Sequence, residues 1–280
     1  MIMKYPLSFR SPLLRGASNV VLVLTTLLAA YAAEPMPGTT STPTWCDEFD
    51  TPGAPNPKNW GYEVGLVRNK EAQFYTRARP ENAVVVDGNL VITARHEAWS
   101  EGDKKAAYTS ASLMTQDKQE FGYGRFEVRA KLPTGRGIWP AIWFLGADKK
   151  LTWPACGEID LMEYVGFDPE KLHFNIHTTA YNHVKKTNKG IAVTVPAATD
   201  WHVYGLELHH DKLTMSLDGK LVFTYSNEGT GPDVWPFDKP MYMILNVAVG
   251  GAWGGQKGID DTVFPQAMLI DYVRYWKADK

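Results

Sequence analysis

Apolar and polar residues alternate with a period of two through most of the chain, and Gly, Pro and Asp-Gly pairs cut the alternation into short runs. Phe126, Val128, Ala130 and Leu132 alternate with Glu127, Arg129 and Lys131, which predicts a strand with one buried and one wet face. Val84 to Ala94 is broken by Asp87-Gly88 between β-branched runs, a strong hairpin signal. Trp201 to Tyr225 reads as three strands, carried by Tyr204, Leu206 and Leu208, then Leu213, Met215 and Leu217, then, after Asp218-Gly219, Leu221, Phe223 and Tyr225. Met241 to Val249 is nearly continuous apolar and predicts a strand buried on both faces, and Met268 to Trp276 predicts a last strand. No long helical pattern appears, so the chain reads as all-β, a sandwich with Gly/Pro turns.

One run departs from simple alternation. Gly157 to Glu163 reads Gly-Glu-Ile-Asp-Leu-Met-Glu, with three carboxylates, Glu158, Asp160 and Glu163, among apolar neighbours. On a strand Glu158 and Asp160 point one way and Ile159 and Leu161 point into the core. Regular alternation would bury Glu163 unpaired, which is costly. A β-bulge at Leu161–Met162 returns it to the acidic face, and that bulge is expected. Three acids in one row repel one another, so at least one has a raised pKa. A carboxylate beside a carboxylic acid is what glycoside hydrolysis uses, and retaining enzymes hold the two about 5 Å apart. On the acids alone, a solvated acidic strand or a cation site serves equally well.

The flanks separate these readings. Trp153-Pro154-Ala155-Cys156 followed by Gly157 to Tyr164 resembles the active-site strand of glycoside hydrolase family 16, in its laminarinase (endo-β-1,3-glucanase) branch, and further matches run from about Trp45 to Trp276. The resemblance implies a β-jelly roll of two curved antiparallel sheets with a concave substrate cleft. It makes Glu158 the nucleophile, Asp160 its assistant and Glu163 the acid/base. Asp47-Glu48-Phe49 resembles the family's first strand, and Asp271-Tyr272-Val273-Arg274 its last.

The same resemblance supplies binding residues. Asn69, in Arg68 to Thr76, is placed at the sugar on the non-reducing side of the cut; without it, Asn69 reads as a loop Asn bonded to its own backbone. In Gly137 to Leu145, Trp139, Ala141 and Trp143 share a strand face, with small Ala141 leaving room for a flat sugar, while Ile142 and Phe144 face the core. Both Trp line the family's cleft. His173 and His177 share a face; a His pair near acids suggests zinc, but the spacing is generic and the family's chemistry needs no metal. His177 is expected to donate a hydrogen bond on the leaving-group side, and Ala180 to His183 to form a cleft rim. Gly250 to Gly255 reads as a flexible loop presenting Trp253 to ligand. No cofactor is expected for catalysis. One structural calcium is implied through Glu48, the Gly88 carbonyl and Asp271, since oxygen ligands suit that ion.

Composition narrows the partners. The 10 Trp and 13 Tyr suit carbohydrate stacking, though a large aromatic core also uses such residues. A formal net charge of −2 over 280 residues, with no basic patch, speaks against nucleic acid. Residues 1–33 read as a secretory signal: Lys4, Arg10 and Arg15, then apolar Val20 to Ala30, then Ala30-Tyr31-Ala32. The apolar run is short for a membrane span, although an uncleaved anchor is an alternative. Residues 34–44 read as a Pro/Thr-rich linker, and residues 45–278 as one catalytic domain. The two cysteines, Cys46 and Cys156, read as two buried thiols rather than a bridge.

The combined expectation is a secreted, extracellular or periplasmic, monomeric retaining endo-β-glucanase acting on β-1,3-glucan, and on mixed-linkage β-1,3-1,4-glucan as an extension. Its rivals are a family 16 hydrolase of an agarose-type galactan, a transglycosylase, and a non-catalytic glucan-recognition protein, which would lack the acids.

Overall fold

A computed structural model describes residues 42–278; the segment 1–33 expected to be a secretory signal and most of the expected linker lie outside the described residues. The chain runs through β1 (Trp45–Asp47), β2 (Gly61–Glu63), β3 (Gln73–Tyr75), β4 (Ala83–Val86), β5 (Asn89–Glu101), β6 (Lys104–Ser110), β7 (Ser112–Met114), β8 (Gly124–Lys131) and β9 (Ile138–Gly146). It continues through β10 (Glu158–Tyr164), β11 (Lys171–His177), β12 (Lys189–Thr194), β13 (Trp201–Leu208), β14 (Lys212–Leu217), β15 (Lys220–Ser226), β16 (Met241–Val249) and β17 (Gln266–Lys277). The helical element among the described residues is one 3-10 turn, Asp261–Val263, capped by the Asp260 carboxylate.

The strands form the two sheets of a β-jelly roll. A ten-stranded sheet runs β15-β14-β13-β8-β17-β5-β6-β3, with β1 on β17 and β4 on β5, and a seven-stranded sheet runs β12-β11-β10-β9-β16-β7-β2. All named pairings are antiparallel except β3 with β6. The Asp87-Gly88 and Asp218-Gly219 hairpins form as expected, with φ of 50° and 71° in the first and 50° and 74° in the second. Those positive angles are what a two-residue hairpin requires, and Asp and Gly tolerate them.

The inward rows of the two sheets make the core. Phe126 on β8 meets Phe144 on β9 edge to face, ring centroids 4.9 Å apart, which ties one sheet to the other. Each ring is essentially solvent-free, and truncating either to Ala would cost about 3–5 kcal/mol. β16 is buried along its whole length, as its unbroken apolar run demands. The inward face of β10 buries Ile159, Leu161 and Met162 completely.

Two expectations fail at the margins. Leu221 is not an inward residue of its strand but 66% exposed. β15 is a sheet edge, and its ladder with β14 shifts register between Met215 and Ser216, which breaks the alternation there. Both cysteines are free, as read, yet Cys46 is exposed rather than buried, because β1 is a three-residue strand added at the surface of β17.

Candidate active site

β9, β10 and β11 lie side by side, and their cleft-facing residues form a grid. Glu158 pairs with Leu145 and His177, Asp160 with Trp143 and Asn175, and Glu163 with Ala141 and His173. Between Asp160 and Glu163, β10 advances three residues while β11 advances two. That is the expected bulge at Leu161–Met162, and it brings Glu163 back into the row of the other two acids. Gly157 leads into the row with φ +80°, and a Cβ there would come within 2.7 Å of Pro236, so the approach to Glu158 requires glycine.

The acids sit in a cleft of about 720 Å³ that also exposes Asn69, Trp139, Trp153 and Trp253. Asp160 is 2% exposed. Burial raises the pKa of all three acids. Glu163 is pushed up to about 8, first by burial and then by the charge of Glu158, while hydrogen bonds from Trp139 and Asn175 favour its anion. Glu158 is raised by burial and by Asp160, and is opposed by His177 and a hydrogen bond from Trp153. Asp160 is raised by burial and then by Glu163. Such a cluster holds protons at neutral pH that separate carboxylates would release.

His177 is buried; that burial lowers its pKa, and the charge of Glu158 opposes the shift. Its Nε2 lies 3.3 Å from Asp160 Oδ2 and 3.9 Å from Glu158 Oε1. The ring therefore faces the Glu158 end of the acid row. His183 edges onto His177 at 5.1 Å and lies against Trp153 at 5.0 Å, which makes the 180–183 loop a wall of the cleft.

The structure divides the three expected sugar platforms. Trp139 is half-buried in the cleft and donates from Nε1 to Glu163 Oε1 at 3.1 Å. Trp253 sets its ring edge-on to Trp139 at 5.4 Å and to His173 at 4.8 Å. Its loop is braced rather than flexible: Gly250 N donates to Gly137 O, and Ala252 N to Asn69 O. A Cβ on Gly254 would lie 2.8 Å from that of Trp139, so this glycine lets the loop close on the indole. Trp143 shares the predicted face but is only 8% exposed, with the Arg68 guanidinium 4.8 Å above its ring. Its Nε1 donates to Asn246 Oδ1 at 2.8 Å. It is cleft floor roofed by Arg68, not an open stacking surface.

Asn69 lines the cleft with φ +54° and donates from Nδ2 to Glu71 Oε1 at 3.2 Å. Glu71 also accepts from Gln73 Nε2 at 2.7 Å and Tyr75 OH at 3.3 Å. Asn246 Nδ2 donates to Tyr75 OH at 2.9 Å, so one polar network links Asn69 to the base of Trp143. This network was missed from sequence, as were Asn175, Trp153 and Arg68 as partners of the site. Asn175 had a signal: it stands midway between His173 and His177 on the same face.

The expected calcium residues do not form a free oxygen cluster. Glu48 receives two hydrogen bonds of 2.8 Å from Arg274, and Asp271 accepts from Arg129 at 2.6 Å. A calcium held by Glu48, the Gly88 carbonyl and Asp271 would compete with these guanidinium groups for the two carboxylates.

Residues 70–274 match the family model described as glycosyl hydrolases family 16. A β-glucanase of Rhodothermus marinus is 49% identical over 245 residues, covering 83% of this chain and 84% of that protein. The crystal structure of the laminarinase of the same organism superposes with a TM-score of 0.81 at 45% identity, covering 85% of this chain and 98% of the other. A non-specific endo-β-1,3(4)-glucanase, solved with oligosaccharide at its active site, gives a TM-score of 0.83 at 44% identity, covering 88% and 98%.

Proposed function

The chain belongs to glycosyl hydrolases family 16, and from that premise we propose that it is a secreted, retaining endo-β-glucanase that cleaves β-1,3-glucan and accepts mixed-linkage β-1,3-1,4-glucan. The observation that carries the reading is the row Glu158, Asp160 and Glu163, held on one face of β10 by its bulge and open to a cleft. The similarity to a β-glucanase, a laminarinase and a non-specific β-1,3(4)-glucanase supports the substrate class. The pattern of residues 1–33 supports secretion, and no helix among the described residues is long and apolar enough to cross a membrane.

In this reading Glu163 starts protonated, as a pKa near 8 requires at neutral pH. It gives its proton to the glycosidic oxygen as Glu158 attacks the anomeric carbon. Glu158 loses its charge on becoming an ester. The repulsion that raised Glu163 falls with it, and the Glu163 carboxylate is then stable enough to take a proton from the attacking water. Trp153 and His177 favour the Glu158 anion before attack. Asp160, between the two, couples their titrations.

Reducing-sugar release from laminarin, mixed-linkage glucan and agarose tests this. Laminarin is cleaved fastest, mixed-linkage glucan next and agarose not at all, and Glu158→Gln lowers the rate on both glucans by at least about 10³-fold. Binding of laminarin without cleavage would instead support a recognition protein.

A further inference from the structure

We propose that Glu158, Asp160 and His177 form a binding site for a borderline divalent cation, Zn²⁺ above all, whose occupancy blocks the cleft. The three side chains offer ligand atoms that all lie within 4.8 Å of one another. A tetrahedral Zn²⁺ with bonds of about 2.0–2.1 Å sets its ligand atoms about 3.3–3.4 Å apart. His177 Nε2 and Asp160 Oδ2 already stand at 3.3 Å. Glu158 Oε1 lies 3.9 Å from the same nitrogen, and the three ligand atoms lie within 4.8 Å of one another, so the Glu158 carboxylate has to swing in to complete the set.

A second observation points to the same place. Asp160 is 2% exposed, yet its Oδ2 makes no hydrogen bond of good geometry, with His177 Nε2 standing 3.3 Å from it. A buried carboxylate oxygen without a well-aligned donor is a costly feature, and a cation beside it removes the cost. Glu48 and Asp271 differ in this respect, because guanidinium groups already occupy them.

The donor set selects the metal. Two carboxylates and one imidazole suit zinc rather than calcium or magnesium, which take six or more oxygens. Three protein ligands leave the fourth position facing the cleft, where water or a sugar hydroxyl can enter. His177 Nδ1 has no partner behind it, so the imidazole lacks the hydrogen bond that orients dedicated zinc ligands. Affinity is expected to be about 10–100-fold below that of such a site. That is what an inhibitory site released by chelation requires.

The binding claim stands on geometry; the inhibition rests on the catalytic reading above. The full chain is titrated calorimetrically with ZnCl₂ and, as a hard-cation control, MgCl₂. His177→Ala, the isosteric Asp160→Asn, and a His209→Ala/His210→Ala variant of exposed surface histidines are compared, each after a circular-dichroism melt shows that it folds. One Zn²⁺ binds per chain, at least tenfold more weakly in His177→Ala and Asp160→Asn, unchanged in the surface variant, and displaced by a laminarin oligosaccharide; Mg²⁺ gives no heat. Absence of zinc binding, loss only in the surface variant, or binding indifferent to His177 and Asp160 would overturn the proposal. Zinc raises the KM for laminarin and EDTA restores it. A protein that hydrolyses laminarin but binds no zinc sinks this proposal alone, whereas one that binds zinc and cleaves no glucan sinks the catalytic reading.

Discussion

The indole Nε1 of Trp139 donates a 3.1 Å hydrogen bond to Oε1 of Glu163. This one contact fixes where Glu163 points and favours its anion, so it limits how far burial and Glu158 can raise its pKa. Trp139→Phe keeps a ring in the cleft and removes the donor. Hydrogen bonds to charged groups contribute about 1.5–3 kcal/mol, and one pKa unit is about 1.4 kcal/mol. The alkaline limb of kcat/KM, which reports loss of the Glu163 proton, therefore moves up from near 8 by about one unit. The expected profile is bell-shaped, because Glu158 must be ionised while Glu163 is not. A limb that stays in place or moves down would separate Glu163 from the acid role.

The raised Glu163 carboxyl also sets a pH dependence of stability. Its pKa is about 8 in the fold against an ordinary 4.5, so between those values the folded state binds more protons than the unfolded chain. Stability from this group is fully present below 4.5 and is lost as pH rises through 8. Glu163→Gln removes the ionisable group. Its Tm matches that of the parent near pH 4.5 and exceeds it by a margin that grows as pH rises to 8. Equal melting curves at both pH values would show that burial does not perturb this carboxyl.

Trp143 distinguishes a cleft floor from a sugar platform. Its ring lies beneath Arg68 and its Nε1 is bonded to Asn246. Trp143→Phe leaves Asn246 Oδ1 short of a donor, at a cost of about 1–3 kcal/mol. Tm is expected to fall by several degrees while the KM for laminarin changes less than about threefold. A large KM increase at unchanged Tm would restore Trp143 as a stacking surface.

Calcium removal is expected to do little. Glu48 and Asp271 are held by Arg274 and Arg129, so dialysis against EDTA leaves Tm and glucanase rate unchanged. Glu48→Gln costs no more than about 1 kcal/mol, the value of a partly exposed ion pair. A clear Tm loss on chelation, reversed by calcium, would contradict this.

Where local periodicity decides structure, the sequence was readable. The inward rows of β8, β13 and β14, the Asp-Gly hairpins and the buried β16 follow from alternation and turn chemistry. The bulge in β10 followed from a cost argument: without it Glu163 would be buried unpaired. What local pattern does not carry is pairing across the sheet. Asn175 faces the acids only because β11 runs beside β10 in this register. Arg68 covers Trp143, and Tyr75 reaches Asn246, across contacts distant in the chain. Leu221 was misjudged for the same reason, since alternation shows which residues share a face but not that the strand is an edge. The Trp253 loop was misjudged because its glycines read as flexibility, whereas Gly254 serves close packing on Trp139.

The most direct test of the account is to trap the glycosyl-enzyme. The protein is incubated with a 2-deoxy-2-fluoro β-glucoside of laminaribiose bearing a reactive leaving group, then digested and mapped by mass spectrometry. One sugar per chain is expected, attached to Glu158 within the peptide that spans β10. A label on Glu163 or Asp160, or no label together with α-configured products, would contradict it.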